Sequence, residues 1–342
     1  MQEYARYARQ LVLKEIGRDG QRRLGAGHGV VVGIGALGSV SANLLARAGV
    51  GRITLIDRDY LEINNLQRQV LYDEADLISD LPKAVAAKRR LEQINSEIKI
   101  DAEVADVNAD TVAGLLEDAD LVIDGTDNFE TRFLINDFCL KKKFPWIYGG
   151  AVRTEGMSYV ILPGEGPCLR CLFGEAPGPE NIQTCDQVGI LAPTAHMIAS
   201  FQTIEAIKIL SGNKKSVDRQ LWKVDLWNRQ FKAINLDHLR KSPCSGCRKK
   251  EFPYLERGAG SKAVALCGRN AVQIYKRGAA KINFEVLAKK LSGEGQVSFN
   301  DYLLKYQKKP YEITVFSNGR AIVKGTEDEK QARSLYAKYI GA

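Results

Sequence analysis

A dense run of polar side chains, IDRDYLEINNLQRQ, occupies residues 56–69. Gly33, Gly35 and Gly38 form a G-x-G-x-x-G turn after a β-branched strand. Asp57 lies 19 residues beyond the last of these glycines. In nucleotide-binding folds such glycines let backbone NH groups approach phosphate, and the acidic residue binds the ribose. We therefore expect Asp57 to hold the ribose of a nucleotide.

Charged residues near this turn indicate which nucleotide chemistry it serves. Arg9, Arg68 and Lys83 could neutralise a triphosphate. Asp127, in the segment GTDN, follows a predicted strand at the place where a Mg²⁺ ligand is expected. Each of these residues alone is more often part of a surface ion pair. The glycine turn alone favours NAD, and an NAD-dependent oxidoreductase is one alternative, but hydride transfer does not need these cations. Together they favour attack on a nucleotide phosphate.

Four of the seven cysteines form two C-x-x-C pairs, each preceded by a proline. The pairs are Cys168 with Cys171 and Cys244 with Cys247. Two such pairs predict a tetrahedral structural zinc site, even with 72 residues between them. A redox-active dithiol is the alternative reading of the same spacing.

The remaining cysteines have no partner at ligand spacing. Cys185 lies on a loop just before a predicted helix, whose N-terminus would favour a nucleophilic thiolate. A catalytic Cys185 and an inert loop cysteine are both open readings. Cys139, in an apolar helix, is expected in the core, and a structural role is expected for Cys267.

Strand and helix patterns alternate over residues 1–250, which predicts an α/β domain with a doubly wound, Rossmann-like and mostly parallel sheet. Turns, prolines and cysteines interrupt the alternation over residues 151–192, and the segment 220–236 resembles a hairpin. Residues 251–261 are expected to form a linker. Residues 262–342 are expected to form a small basic α+β domain of unknown role.

The composition is that of a globular protein, with 45% hydrophobic and 26% charged residues among 342. No segment reaches the roughly 18 apolar residues of a membrane span, and the N-terminus has no secretion-signal pattern. We expect a cytoplasmic protein without a membrane partner. From residue 251 onward there are 16 basic and 9 acidic residues. Such an excess suits a solvated surface, an acidic protein partner or nucleic acid.

Taken in order, these motifs resemble the ubiquitin-activating (E1)-like adenylyltransferases of the ThiF/MoeB/HesA family. The resemblance covers roughly residues 1–250. It is specific to the superfamily, because many motifs occur in order, and less specific to one member. The segments that carry it are YARQ (7–10), GIGALG (33–38), AGVGRITLIDRDYLEINNLQRQ (48–69), LPKAVAAKRRLEQIN (81–95), GTDN (125–128), PCLRC (167–171), QTCDQVGILAP (183–193) and PCSGC (243–247).

The resemblance implies an enzyme that uses ATP and Mg²⁺ to form an acyl-adenylate. Its substrate would be the C-terminal Gly-Gly of a ubiquitin-like sulfur carrier, ThiS- or MoaD-like, in thiamin or molybdopterin synthesis. It also implies a structural Zn²⁺, a homodimer and a sulfur donor such as a cysteine desulfurase. A tRNA threonylcarbamoyladenosine dehydratase is the alternative within the superfamily. Those relatives do not typically have paired zinc knuckles, so no nucleic-acid partner is expected.

The resemblance also implies roles for individual residues. Arg68 and Lys83 would neutralise the triphosphate, Arg9 would reach the site of a neighbouring subunit, and Asp127 would bind Mg²⁺. Cys185 would accept the activated acyl group or form a persulfide linkage. Ala36 replaces a glycine found in some members and should still permit backbone contact. The nucleotide-binding set is Gly33, Gly35, Ala36, Gly38, Asp57, Asp59, Asn64, Asn65, Gln69 and Asn128.

Overall fold

The computed structural model describes residues 4–176, 185–241, 243–256, 262–266, 270–275 and 281–341. The chain divides into two compact units, Met1–Arg257 and Gly258–Ala342. Among the described residues, no helix combines the length and the apolar character needed to cross a membrane.

The first unit is built on one eight-stranded sheet. Its strands are β1 (His28–Val32), β2 (Arg52–Ile56), β3 (Lys99–Glu103), β4 (Leu121–Asp124), β5 (Trp146–Val152), β6 (Glu155–Ile161), β7 (Leu221–Asp225) and β8 (Gln230–Ile234). The spatial order is β3-β2-β1-β4-β5-β6-β7-β8. The first five strands are parallel and the last three are antiparallel. The predicted Rossmann-like α/β fold is confirmed, and so is the β7–β8 hairpin.

Helices and short turns connect these strands. They are α1 (Ala8–Leu11), α2 (Gly17–Ala26), α3 (Ala36–Ala48), α4 (Glu74–Ile78), α5 (Lys83–Ile94), α6 (Val112–Leu116), α7 (Phe129–Lys142), α8 (Leu169–Phe173), α9 (Cys185–Val188), α10 (Ala192–Leu210) and α11 (Pro253–Glu256). Single 3₁₀ turns cover Ala5–Tyr7, Ile63–Asn65, Lys214–Ser216 and Asp237–Lys241. All residues of β1 and β4 are buried, as expected for central parallel strands.

Strand β6 lies in the segment expected to be irregular. Its residue Gly156 packs against α10, where an added Cβ would lie 2.4 Å from Ile198 Cγ1. A glycine in the strand therefore serves close packing and weakens the alternating pattern that would have revealed the strand.

Residues 251–256 differ from the linker expected there. Helix α11 packs on α7, and the ring of its buried Tyr254 stacks on Phe133 with centroids 5.3 Å apart. The backbone NH of Tyr254 donates to Asp137 Oδ2 of α7 at 3.2 Å. The apolar and aromatic residues of FPYL give this segment a buried face, and it belongs to the first unit.

The second unit has its own antiparallel sheet and core. Its strands are β9 (Lys262–Leu266), β10 (Ala271–Tyr275), β11 (Gln296–Phe299), β12 (Leu303–Lys308), β13 (Tyr311–Phe316) and β14 (Ala321–Lys324), in the order β11-β12-β13-β14-β10-β9. Its helices are α12 (Phe284–Leu291) and α13 (Glu329–Tyr339). Their apolar residues form one cluster with β10, β12, β13 and β14.

The strand register of the first unit determines where functional loops meet. Val32 at the end of β1 pairs with Ile56 at the end of β2 and with Asp124 at the end of β4. The loops that leave β1, β2 and β4 therefore start side by side at the carboxyl edge of the sheet, which is where open α/β sheets bind ligands.

Candidate functional site

The β1–α3 turn packs against the β4–α7 loop with no room for side chains. Gly33 has φ +83°, and an added Cβ there would lie 2.8 Å from Gly125 O. A Cβ on Gly38 would lie 1.8 Å from Gly33 O. A Cβ on Gly35, which precedes α3, would have Gln69 Nε2 at 3.9 Å as its nearest neighbour. The turn thus leaves space at the helix N-terminus, where backbone NH groups attract anions.

Asp57 ties the end of β2 to this turn. Its two carboxylate oxygens accept hydrogen bonds from the backbone NH groups of Ile34 and Asp59, both at 2.7 Å. The side chain is buried, and each oxygen keeps a further lone pair for a hydroxyl. Burial raises the pKa of the Asp57 carboxyl, and the nearby Lys83 ammonium opposes that shift.

Lys83 begins α5 and is only 6% exposed at its side chain. Its backbone NH donates to Asp59 O at 2.9 Å. Its Nζ lies 3.9 Å from Asp59 Oδ2, which is a long ion pair. The ammonium is thus held close to Asp57 and Asp59 without a short bond to Asp59, as a phosphate-binding cation would be.

The polar run after β2 forms a 3₁₀ turn that is stabilised by its own amides. Asn65 Oδ1 accepts from the Glu62 NH at 3.2 Å, and Asn65 Nδ2 donates to Asn64 Oδ1 at 2.8 Å. Arg68 is half-buried and donates to Asn64 O at 2.7 Å. Gln69 is buried beside the glycine turn, and its Oε1 has no hydrogen-bond partner among the described residues. Asn64 and Asn65 therefore shape the turn, and Gln69 offers a buried acceptor.

The β4–α7 loop carries the predicted Mg²⁺ ligand. Asp127 is exposed at this edge of the sheet. The neighbouring Asn128 caps α7, with its Oδ1 accepting from the Thr131 NH at 2.9 Å. A single carboxylate beside a phosphate site fits Mg²⁺, which usually takes one or two protein carboxylates together with substrate phosphates. Asn128 serves the helix first, whereas Asp127 fits the metal.

Sequence reasoning missed three side chains that hold this edge together. Tyr72 OH donates to Ile34 O at 2.9 Å and also lies 3.2 Å from Lys83 O, so it links the glycine turn to α5. Arg58 Nη1 donates to Asp106 Oδ1 at 2.8 Å. Arg132 Nε lies 3.1 Å from Asp124 Oδ2, and both side chains are buried. No spacing rule marks these residues, because each connects segments that are distant in the sequence or hidden in a helix.

Arg9 lies far from the glycine turn of its own chain. It is exposed on α1, whose neighbour Gln10 donates to Ala48 O at the C-terminal end of α3 at 3.0 Å. Tyr7 packs against Gly49, just beyond the same end. Helix α3 has 13 residues, so its two ends are about 20 Å apart. Arg9 and the other predicted site residues are therefore not brought together within one chain.

The four predicted zinc ligands converge in one cluster. All four Sγ atoms lie within 4.8 Å of one another. The distances are 3.8 Å for Cys168–Cys171, 3.6 Å for Cys168–Cys244 and 3.5 Å for Cys171–Cys247. Zinc–sulfur bonds of about 2.3 Å in a tetrahedron would place sulfurs about 3.8 Å apart, whereas a disulfide needs about 2.05 Å. The cluster fits a zinc ion and not a pair of disulfides.

A buried ion pair supports this cluster from α7. Arg170, between the first two cysteines, donates to Asp137 Oδ1 at 3.1 Å, and both side chains are buried. Asn136 Oδ1 accepts from the Leu169 NH at 3.0 Å. Burial raises the pKa of Asp137, and Arg170 opposes that shift. The middle turn of α7 thus anchors the first knuckle, which is the pair of Cys168 and Cys171.

The other cysteines differ in what the structure describes. Cys139 is fully buried in the core of the first unit, where burial raises the pKa of its thiol. Cys185 is the first residue of α9, and its side chain lies outside the described part of the chain. Cys267 lies outside the described residues as well.

The chain is similar to known proteins over most of its length. The sequence model of the ThiF family matches residues 7–248. The sulfur carrier protein ThiS adenylyltransferase of Bacillus subtilis (strain 168) is 40% identical over 337 residues, which are 98% of this chain and 99% of that protein. The adenylyltransferase and sulfurtransferase MOCS3 of Anopheles gambiae is 39% identical over 253 residues, 74% of this chain. That match spans 56% of the longer MOCS3 protein.

A solved structure shares the fold of the first unit's sheet. The crystal structure of Escherichia coli MccB with succinimide superposes with a TM-score of 0.62 at 24% identity, covering 71% of this chain and 74% of that one. At that identity the likeness concerns the fold alone.

Proposed function

The chain belongs to the ThiF family, and from that premise we propose that it is an ATP-dependent adenylyltransferase for a ubiquitin-like sulfur carrier of the ThiS or MoaD kind. It joins the C-terminal glycine carboxylate of the carrier to AMP and releases pyrophosphate. The acyl-adenylate then serves sulfur transfer in thiamin or molybdopterin synthesis. The near full-length likeness to a ThiS adenylyltransferase supports a ThiS-like carrier first.

The observation that carries the proposal is the meeting of three loops at one sheet edge. The glycine turn, Asp57 and the loop of Asp127 follow β1, β2 and β4, which are neighbours in the sheet. Lys83 lies buried beside them, with its Nζ 3.9 Å from Asp59 Oδ2. A ribose holder, an anion-binding turn and a cation in this arrangement suit a nucleoside triphosphate.

The chemistry requires two anions to meet. A carboxylate oxygen of the carrier attacks the α-phosphorus of ATP, and the bond from that phosphorus to the bridging oxygen of pyrophosphate breaks. Because the carboxylate and the triphosphate repel each other, fixed cations must hold them in line. Lys83 and Arg68 supply positive charge from within the chain. Mg²⁺, when bound at Asp127, would neutralise further phosphate charge.

Each remaining residue of the edge has a part that fits its contacts. Asp57 accepts from the ribose hydroxyls, because both of its oxygens are already oriented by backbone NH groups. The backbone at Gly35 and Ala36 donates to phosphate. The side-chain amide of Gln69 is buried beside that backbone with its Nε2 nearest to Gly35, so it can also donate to phosphate. Tyr72 holds the turn and α5 at a fixed separation.

A homodimer belongs to the proposal. Arg9 lies at the end of α3 opposite to the glycine turn, so it does not complete the site of its own chain. A second copy that places Arg9 against the first copy's triphosphate would supply the third cation.

Sulfur transfer is the second half of the proposed function. In one route the Cys185 thiol attacks the acyl carbon of the adenylate, and AMP leaves. In the other, the terminal sulfur of a persulfide on a cysteine desulfurase attacks that carbon and AMP leaves; Cys185 then displaces the desulfurase thiol from the acyl disulfide and becomes linked to the carrier through two sulfur atoms. The four-cysteine zinc site has a structural role, since the four neighbouring sulfur atoms would fill every position around a tetrahedral ion.

ATP–pyrophosphate exchange tests the proposal. Radioactive pyrophosphate should enter ATP only when the protein is mixed with a carrier ending in Gly-Gly. The matched control is the same carrier without its last glycine, which should support no exchange. Exchange that fails with every Gly-Gly carrier of the source organism would contradict the proposal. A comparison of ThiS-like and MoaD-like carriers then identifies the pathway.

A further inference from the structure

The loop that carries Asp127 is held at both ends by one buried ion pair. Asp124 is the last residue of β4, and Arg132 lies in the first turns of α7. Residues 125–128 connect the two elements. Both side chains are buried, and the proposed chemistry does not use either of them.

The hydrogen bonds of this pair converge on the loop. Asp124 Oδ1 accepts from both the NH of Thr126 at 2.9 Å and its hydroxyl at 2.6 Å. Arg132 Nη2 donates to Thr126 O at 2.6 Å and to Gly149 O on β5 at 3.0 Å. All polar groups of Thr126 are therefore fixed, and its neighbour is Asp127.

Aromatic rings and a buried amide complete the packing of the pair. The Arg132 guanidinium lies 5.3 Å from the ring centroid of Phe129 and 5.2 Å from that of Tyr148. Gln202 Nε2 of α10 donates to Asp124 O at 2.7 Å. Together these contacts hold the Asp124 and Arg132 side chains in place.

Such a pair is a costly way to gain stability. The Asp124 and Arg132 side chains are 0% and 8% exposed, and burial raises the pKa of Asp124 against the effect of Arg132. Desolvation of two charges offsets most of their attraction, so apolar residues of similar volume often stabilise a core equally well. What the pair adds is a fixed geometry.

The charge of Asp127 also acts on this pair. Burial lowers the pKa of the Arg132 guanidinium, but the carboxylates of Asp124 and, more weakly, Asp127 outweigh it, and the net shift is upward. Asp127 raises the pKa of Arg58 in the same way, after the larger effects of burial, which opposes, and of Asp106 and Asp59. Asp127 therefore lies within electrostatic reach of two guanidinium groups on different elements.

We propose that Arg132 is a positioning residue for the metal: with Asp124 it fixes the β4–α7 loop so that Asp127 can bind nucleotide-bound Mg²⁺. This inference rests on the proposed use of ATP and deepens it. Arg132 acts through Thr126 and Asp127 and makes no contact with the substrate.

The test measures how much Mg²⁺ strengthens ATP binding to the full-length protein without carrier. Calorimetry gives the Kd for ATP with Mg²⁺ and in Mg²⁺-free buffer without a chelator, because EDTA would also remove zinc from the cysteine cluster, and the ratio of the two values is the readout. Arg132→Met should reduce that ratio about tenfold and leave the Kd in Mg²⁺-free buffer unchanged, because lost support for a metal ligand weakens metal binding by that amount or more. Asp127→Asn should give the same result, and Arg132→Lys should restore part of the ratio.

Arg170→Met is the matched control, because Arg170 is also buried against an aspartate of α7, at the cysteine cluster. Its ratio should equal that of the wild type. An unchanged ratio in Arg132→Met, or equal losses of ATP affinity with and without Mg²⁺, would overturn the inference.

If Arg132→Met does not fold, Arg132→Lys and Thr126→Val decide by the same ratio. A lowered ratio supports the inference and an unchanged one overturns it. The proposed function is tested separately. If Mg²⁺ strengthens ATP binding to the wild type but the protein shows no carrier-dependent exchange, the proposed function is refuted and the positioning role of Arg132 is not.

Discussion

The cysteine cluster and the nucleotide edge, which is the carboxyl edge of the sheet with the glycine turn, Asp57, Lys83 and Asp127, are built in opposite ways within one unit. In the cluster, four sulfur atoms lie within 4.8 Å of one another, and the buried ion pair of Arg170 and Asp137 lies beside the first cysteine pair. At the edge, the backbone is firmly held, while Arg68 is half-buried and Asp127 is exposed. A four-cysteine metal site would take all of its ligands from the protein, whereas the proposed nucleotide site leaves some of its charged side chains accessible to a ligand.

The two sites share helix α7. Its N-terminal turns hold the β4–α7 loop through Arg132, and its middle turn holds the first knuckle through Asn136 and Asp137. The comparison predicts that changes at the cluster act mainly on folding, and that changes at the edge act mainly on catalysis.

Replacement of a cluster ligand should have the largest effect on stability. Cys244→Ser should reduce bound zinc from one ion per chain to a small fraction, and should lower the free energy of unfolding by more than about 4 kcal/mol. Metal analysis and urea denaturation measure the two quantities. Cys185→Ser is the control and should keep its zinc. Full zinc occupancy in Cys244→Ser would contradict a four-cysteine site.

Removal of the buried lysine should have the next largest effect, and on activity instead of stability. Lys83→Ala should reduce carrier-dependent ATP–pyrophosphate exchange about 100- to 1000-fold, because a fixed positive group at the reacting phosphate is lost. Lys88→Ala on the same helix is the matched control, since Lys88 lies nearer the surface, where its Nζ is 3.7 Å from Glu92 Oε1. Equal exchange in both variants would place Lys83 outside the site.

Loss of the Tyr72 hydroxyl should have a smaller effect, which concerns both stability and ATP binding. Tyr72→Phe leaves Ile34 O without its buried donor, so the free energy of unfolding should fall by about 1 kcal/mol. ATP affinity should fall as well, because the glycine turn loses its link to α5. Urea denaturation and calorimetry check both. A variant with lower stability and unchanged ATP affinity would show that the turn is held by its glycines alone.

The smallest effect concerns pH and the opposite edge of the sheet. His28 begins β1, with its ring nitrogens 2.7 Å from Asp118 O and 2.8 Å from Thr54 Oγ1, and burial lowers its pKa. The folded chain therefore resists protonation of His28, while the unfolded chain takes up a proton near pH 6.5. This contribution is present above about pH 6.5 and is lost as the pH falls toward the lower folded pKa.

Chemical denaturation between pH 7 and pH 5 measures this effect. The wild type should lose more stability over that range than His28→Gln. Parallel curves would show that His28 takes up protons equally in the folded and unfolded chain. Activity at saturating ATP should follow the same pH profile in both proteins, because His28 lies away from the nucleotide edge.

The sequence predicted those features that depend on neighbouring residues. The glycine turn was recognisable because glycines follow a β-branched strand and precede a helix. The cysteine pairs were recognisable because C-x-x-C fits one turn of backbone around a metal. The alternation of strand and helix patterns predicted the α/β sheet, and Asp57 was recognisable from its distance to the glycines.

The features that the sequence did not reveal depend on contacts between distant segments. Tyr72 joins Ile34 to Lys83, and the pair of Asp124 and Arg132 is hidden in a strand end and an ordinary helical turn. Strand β6 was missed because Gly156 yields its side-chain space to Ile198 of α10. None of these contacts has a spacing rule, since tertiary packing creates each of them.

The separation of the two cysteine pairs in the sequence has a consequence for the synthesis of the chain. The first knuckle ends at Cys171 and the second begins at Cys244, and α10 and the β7–β8 hairpin lie between them. During translation the metal can be fully enclosed only after Cys247 has left the ribosome. By then every strand of the first sheet has been synthesised. A zinc ion bound by all four cysteines would therefore join the two pairs only late in synthesis, and a chain truncated before Cys244 lacks two of the four ligands.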